Sequence, residues 1–268
     1  MSRVTLKNNS IGIIPARMNS TRFPGKPMEK ILGLPMIGHV YLRTKMSSSL
    51  DRVVVATCDR EIFNYIRELG GDVVMTSSSH VRASDRCAEA LKIIEDEHHE
   101  NYSYVAMIQG DEPFVNPKDI DEAIKILKSD IAIEVVNLMT NIEDIKEAED
   151  YNNVKVVCDL FSNALYFSRC AIPSKNSEHN LNSWSKQTGL IFFRKSSLLL
   201  FNELKQSPLE ILEGVDMLRL LENRMRIHML EINGINIGVD TYDELLNAEK
   251  CLSKDGITQY LLKTYVKR

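Results

Sequence analysis

No stretch of this 268-residue sequence stays apolar and uncharged for the about 18 residues that a membrane-crossing helix needs, so a transmembrane protein is not expected. Met1 to Asn9 is polar and carries Arg3 and Lys7, which does not match a secretory leader. Glycine (12) and proline (8) are too sparse, beside 44% hydrophobic residues, for a collagen-like or disordered chain. Neither charge sign dominates. With 33 basic and 37 acidic residues the net charge is −4, which argues against unspecific nucleic-acid binding. The five cysteines (Cys58, Cys87, Cys158, Cys170, Cys251) form no C-x-x-C pair and no cluster with histidine. That excludes the common zinc arrangements and points to reduced thiols in a cytoplasm. His98 and His99 lie in an acidic stretch and read as a solvated helix end.

Short apolar runs at Ile11–Ile14, Val53–Ala56, Val73–Met75 and Val105–Ile108 fit strands buried on both faces of a parallel sheet. Helical spacing fills the gaps. Pro35–Met46 is one segment; another opens at Asp59 as N-cap and stops at Gly70-Gly71; a third is capped by Ser84 or Asp85; a fourth spans Pro117–Leu127. Such alternation predicts an α/β fold with a doubly wound, mostly parallel sheet. The second half is less regular. Strands are expected at Val154–Val157, Ala164–Phe167, Leu190–Phe193, Arg226–Leu230 and Ile235–Val239, a long loop at Ser174–Ser185, and helices at Pro208–Glu222 and Tyr242–Cys251. With no repeat or linker, the chain reads as one domain over 1–268 with an inserted β arm near 150–195.

Three segments carry chemistry. The loop after the first strand holds Arg17, Arg22 and Lys26 among small residues, and ligands of open parallel sheets bind where loops leave the carboxyl ends of strands. Three cations and free backbone N–H groups suit a polyphosphate. The loop has neither P-loop nor dinucleotide-fingerprint spacing. Gln109-Gly110-Asp111-Glu112-Pro113 follows the fourth strand, where an acid can hold Mg²⁺ with phosphate oxygens and water; Asp111 or Glu112 could do so. Asp240, in Gly238-Val239-Asp240-Thr241, again follows an apolar run and could instead cap the last helix. Two acids facing a basic loop suit substitution at phosphorus by positioning and charge neutralisation.

Pro15-Ala16-Arg17, Ser20-Thr21-Arg22-Phe23-Pro24-Gly25-Lys26-Pro27, Val54–Thr57, Gln109–Pro113, Val154–Val157, Ala164–Arg169, Ser207–Glu210 and Gly238–Thr241 stand in the order found in the 3-deoxy-manno-octulosonate (Kdo) cytidylyltransferases. The sequence resembles that family over roughly residues 10–250. The resemblance implies a fold of nucleotide-diphospho-sugar transferase type, transfer of CMP from CTP to a sugar acid with release of pyrophosphate, a need for Mg²⁺, and a homodimer built through the β arm. It implies catalytic roles for Arg17, Lys26, Asp111 and Asp240, the two aspartates holding the metal. Ala16, Arg17, Arg22, Lys26, Ser84 and Gln109 would meet the nucleotide. Arg82, Arg86, Arg169, Gln187 and Glu210 would meet the acceptor, with no nucleic-acid or membrane partner. For Arg169 the chemistry agrees, because a guanidinium pairs well with a carboxylate.

The departures fall on the acceptor side. Where the family has Ser-Gly-Thr, the chain reads Arg82-Ala83-Ser84, adding a cation and a methyl. Gln187 stands where the family has histidine, and Met217 where it has glutamine. The readings left open are a Kdo-like acceptor, a different acid such as a modified ulosonic acid or a phosphonate, and a silent nucleotide-sugar-binding scaffold.

Overall fold

Successive residues of the first strand point to opposite faces, and both faces are buried: Ile11 and Ile13 join one apolar cluster, Ile14 and Ala16 the other. The computed structural model describes residues 9–20, 22–142, 144–174, 184–234 and 237–266. The strands are β1 (Ser10–Ala16), a small hairpin of β2 (Lys30–Ile31) and β3 (Leu34–Pro35), β4 (Arg52–Thr57), β5 (Asp72–Met75), β6 (Tyr104–Ile108), β7 (Val135–Ile142), β8 (Lys155–Cys158), β9 (Ala164–Ser168), β10 (Trp184–Arg194) and β11 (Ile227–Glu231). The main sheet runs β11-β7-β10-β6-β1-β4-β5. All neighbours on that path are parallel except β10, which is antiparallel to both β6 and β7. The expected mostly parallel α/β sheet is the one found.

The helices are α1 (Met36–Thr44), α2 (Arg60–Glu68), α3 (Ala83–His98), α4 (Pro117–Ser129), α5 (Ile145–Glu149), α6 (Lys195–Glu203), α7 (Pro208–Glu213), α8 (Met217–Glu222), α9 (Tyr242–Leu252) and α10 (Gly256–Tyr265). Buried residues of α1, α2 and α4 join Ile14, Val55, Ile108 and Phe192 on one face of the sheet. Those of α3, α6 and α8 join Ile13, Val54, Met107 and Phe193 on the other.

Several expectations change. The third helix has Arg82 at its N-cap, so Ser84 and Asp85 lie inside the first turn. Pro208–Glu222 is two helices, because Gly214 takes a left-handed conformation (φ 63°) that ends α7. Residues 237–239 run irregularly and not as a strand; 235 and 236 lie outside the described residues, as do 175–183 of the expected long loop and Thr21 of the basic segment. Trp184 and Ser185, read as loop, begin β10. The arm is a β8–β9 hairpin laid on the first part of β10, whereas Leu190–Arg194 pairs with β6 in the centre of the main sheet. All five cysteines are free thiols, and no helix of the described residues is long and apolar enough to cross a membrane.

His39 on α1 is fully buried, with Nε2 2.9 Å from the Ile31 carbonyl. Burial, helped by the nearby Arg43 charge and opposed by the Ile31 carbonyl, pushes its pKa down to about 4. From pH 6.5 down to 4 the unfolded chain takes up a proton that the folded chain refuses, so stability falls as pH falls, by roughly 3 kcal/mol at the end of that window. Urea titrations at pH 7 and 4.5 should show a smaller acid loss in His39→Gln than in the parent. An equal loss would show that His39 is not the group responsible.

Candidate active site

The loop leaving β1 is tied down by Asp59, whose carboxylate accepts the Met18 N–H at 2.8 Å. Asp59 stands at the N-cap of α2 as expected, but its side chain serves the loop and not the helix. The Ser20 and Gly25 amides both donate to the Met18 carbonyl, which turns the segment back on itself and delivers Lys26 to the sheet edge. There Lys26 Nζ lies 2.6 Å from Asp111 Oδ2, 2.7 Å from Asp240 Oδ1 and 3.2 Å from the Val239 carbonyl. Arg22 Nη2 adds a contact of 2.8 Å to Asp240 Oδ2. Burial alone would lower the Lys26 pKa; the two carboxylates outweigh it and hold it above the ordinary lysine value. The Val239 amide donates to the Asp111 carbonyl at 3.0 Å, so the two acid-bearing segments are also joined by backbone. Asp240 does not cap the helix that follows it, α9; Thr241 does, in a box with Glu244.

These groups line a cleft of about 770 Å³. One wall carries Ala16, Arg17, Arg22 and Lys26, the floor Gln109, Gly110, Asp111 and Asp240, and the far wall His80, Arg82, Arg86, Glu210 and Asp216. Of the expected nucleotide and metal residues, Ala16, Arg17, Arg22, Lys26, Gln109, Asp111 and Asp240 are thus brought together. Ser84 is not: it is fully buried in α3, among the residues outside that lining.

The acceptor residues fare less uniformly. Arg82 lines the cleft. Its Nε and Nη2 grip Asp85, each at 3.0 Å, while Nη1 has no partner among the described residues. Arg86 also lines it, anchored by Nη1 to Thr76 Oγ1 and the Ser77 carbonyl. Glu210 reaches the wall, but its oxygens are taken by the fully buried Arg219 (2.7 Å from Nε to Oε2, with Nη2 on Oε1) and by the Ser207 amide. Arg169 stands outside the lining. Its guanidinium is spent on the carbonyls of Glu213, Gly214 and Tyr151, at 2.9–3.1 Å. Gln187 is also outside; its amide oxygen is buried in β10. Met217 is core, packed beside Leu218 and Leu220.

One residue of the site was not expected, and one that was expected takes a different place. Asp216 lines the far wall, where burial, with the Glu210 charge adding and Arg82 opposing, pushes its pKa up to about 6. It was hidden by reading one helix through Gly214; a glycine after Leu-Glu is a C-cap signal that could have exposed it. Glu112, read as a possible metal ligand, is buried and lies outside the cleft lining. It is 6% exposed, and its Oε1 accepts the Gly189 N–H at 2.6 Å. Burial first, then the Asp111 charge, raises its pKa to about 7 against the pull of that N–H.

Among the described residues no three His, Cys, Asp or Glu side chains converge as a ready-made metal cage. Asp111 and Asp240 do converge on one cationic nitrogen. Two hard oxygen donors aimed at one point fit a divalent cation that completes its shell with water and phosphate oxygens.

Comparison with known proteins identifies the family. A family model described as cytidylyltransferase matches residues 11–227. A 3-deoxy-manno-octulosonate cytidylyltransferase of Protochlamydia amoebophila (strain UWE25) is 38% identical, over 95% of this chain and 98% of its own. That of Syntrophotalea carbinolica is 40% identical, over 88% and 96%. A solved CMP:2-keto-3-deoxy-manno-octonic acid synthetase, complexed with CTP, superposes with a TM-score of 0.83 at 31% identity, covering 92% of this chain and 99% of that one. The chain therefore belongs to the cytidylyltransferases, a family of nucleotidyltransferases, and groups among them with the 3-deoxy-manno-octulosonate enzymes.

Proposed function

We propose that this chain transfers CMP from CTP to the anomeric hydroxyl of a Kdo-like sugar acid and releases pyrophosphate, with Mg²⁺ held by Asp111 and Asp240. The observation that carries the reading is Lys26 reaching from the cationic wall of the cleft to both aspartates, at 2.6 and 2.7 Å. The acceptor oxygen attacks the α-phosphorus in line and pyrophosphate leaves, with no covalent enzyme intermediate. Arg17, Arg22 and Lys26 bind the triphosphate and offset its charge, so the leaving group departs without building unbalanced negative charge. Gln109 and the loop through Arg82 and Arg86 orient base, ribose or sugar. Asp111 and Asp240 would hold the magnesium, which would neutralise phosphate oxygens and favour ionisation of the attacking hydroxyl. The resemblance to the CTP-bound synthetase supports CTP as donor.

The exposed Leu160, Phe161 and Leu165 of the β8–β9 hairpin support a homodimer through that arm, and the exposed Ile211 and Leu212 of α7 extend the apolar surface. Glu213 joins the two elements by accepting from Tyr166 and Ser168 hydroxyls and the Arg169 amide. Sedimentation equilibrium tests this. The free thiols support work in a reducing compartment such as the cytoplasm.

The deciding experiment is a pyrophosphate assay with Mg²⁺, the four nucleoside triphosphates, and a panel of 3-deoxy-ulosonic, other carboxylic and phosphonic acids. The expected result is turnover with CTP and a 3-deoxy-ulosonic acid. CTP binding in calorimetry without turnover of any acceptor would establish the silent scaffold.

The Arg82 guanidinium in the cleft lining favours an acceptor with an additional anionic or acceptor group. Arg82→Ser should raise the acceptor KM about 10-fold or more, the worth of one charge-assisted hydrogen bond, and leave that of CTP unchanged. A change confined to the CTP KM would assign Arg82 to the nucleotide subsite.

A further inference from the structure

Strand β10 loses register against β7 between Gln187 and Ile191, and this irregularity is hydrogen-bonded to the residues that flank Gly110-Asp111. Bulges next to sites re-aim a short stretch of chain. Here the carbonyls of Thr188, Gly189 and Leu190 and the Gly189 amide each have a specific partner. Asn137 Nδ2 donates to the carbonyls of Thr188 (3.1 Å) and Leu190 (3.0 Å). The Gln109 amide donates to the Gly189 carbonyl (3.1 Å), and the Gly189 amide donates to Glu112 Oε1 (2.6 Å). Glu112 in turn donates its own amide to the Gln109 carbonyl at 3.2 Å. A closed ring of hydrogen bonds thus fixes Gln109 and Glu112, the residues on either side of Gly110-Asp111.

The slot around the Glu112 carboxylate depends on missing side chains. A Cβ on Gly189 would stand 2.8 Å from Glu112 Oε1 and 3.0 Å from Gln109 Cβ and Cγ, and one on Gly238 would stand 3.9 Å from the same oxygen. Glu112 therefore sits where β6, the β10 bulge and the segment leading to Asp240 meet.

We propose that Glu112 is a positioning residue for Asp111: as a buried acceptor for the Gly189 amide, it locks the Gln109–Glu112 turn that presents the Asp111 carboxylate to the cleft. This rests on the reading that Asp111 holds the metal. What matters is an acceptor oxygen at that place, because the ring is closed by an N–H and not by a cation. Outer-shell groups of this kind set the angle at which a ligand meets its ion, and their loss costs metal affinity.

The test is Mn²⁺ titration of the CTP complex by electron paramagnetic resonance, together with kcat and with CTP affinity measured in chelator. Glu112→Gln keeps an acceptor oxygen and should bind Mn²⁺ within about threefold of the parent. Glu112→Leu should weaken Mn²⁺ binding about 10- to 100-fold and lower kcat, while chelator-measured CTP affinity holds; Gly189→Ala, whose methyl also presses on Gln109, should weaken Mn²⁺ binding by as much. A purely structural role would lower the melting temperature and leave the affinity of the folded molecules unchanged. Should Glu112→Leu not fold, Gly189→Ala and Glu112→Gln carry the test. Parental Mn²⁺ affinity in folded Glu112→Leu or in Gly189→Ala overturns the proposal, as does equal weakening in Glu112→Gln. Asp111→Asn separates the two readings. If it loses Mn²⁺ while Glu112→Leu keeps it, only the positioning role falls; if it keeps Mn²⁺, the metal assignment fails and the positioning role falls with it.

Discussion

Asp111→Asn and Asp240→Asn are each expected to cut Mg²⁺-dependent pyrophosphate release by about 10³-fold, roughly 4 kcal/mol of transition-state stabilisation, while the protein still folds. The asparagine side chain keeps the shape and an oxygen that can accept from Lys26, so the contacts at 2.6 and 2.7 Å need not be lost with the charge. What goes is one of two carboxylates able to hold a divalent ion against phosphate oxygens. Both residues are partly exposed, at 24% and 30% of their side chains, so solvent screens their ion pairs and the substitutions leave the core intact. The measurement is a Mg²⁺ titration of the pyrophosphate assay alongside thermal unfolding. Near-parental rates at low Mg²⁺ in either variant would remove that aspartate from the metal assignment.

The second large effect is expected at Lys26. Lys26→Met preserves length and apolar stem but removes the ammonium that touches both aspartates, and CTP affinity should fall about 100-fold with turnover falling further, the scale of one to two charge-assisted hydrogen bonds. Lys26→Arg should rescue little. The site converges on a point, which suits a compact ammonium, whereas a guanidinium is a planar fork. Calorimetry of CTP binding in chelator isolates the residue's own contribution. Unchanged CTP affinity in Lys26→Met would move the triphosphate away from this wall.

The strands of the first half were legible because burial on both faces leaves an unbroken apolar run, as in Ile11–Ile14 and Val105–Ile108. β7 was not. Its run Val-Val-Asn-Leu-Met-Thr-Asn-Ile carries a buried Asn137 that makes sense only once the β10 bulge supplies carbonyls for its amide. α6 and α10 also went unread. α10 closes over the first sheet face through Leu261, and Asp255 at its cap holds the buried Arg43, contacts that no local period announces.

The candidate site divides along the same line. Arg17, Lys26, Asp111 and Asp240 could be placed from the chain alone, because each stands in the loop that directly follows an apolar strand or run, and topology then brings such positions to one edge of a parallel sheet. Residue type and position were settled there by local order. Which partner each charge takes was settled only by the folded chain. Arg169 and Glu210 look like free recognition groups in sequence, yet one is spent on helix-end carbonyls and the other on Arg219. Glu112 looks like a loop acid and is a buried brace. The reason is physical: a buried charge or N–H must find its partner wherever packing puts one, and such partners lie far along the chain, 77 residues apart for Glu112 and Gly189.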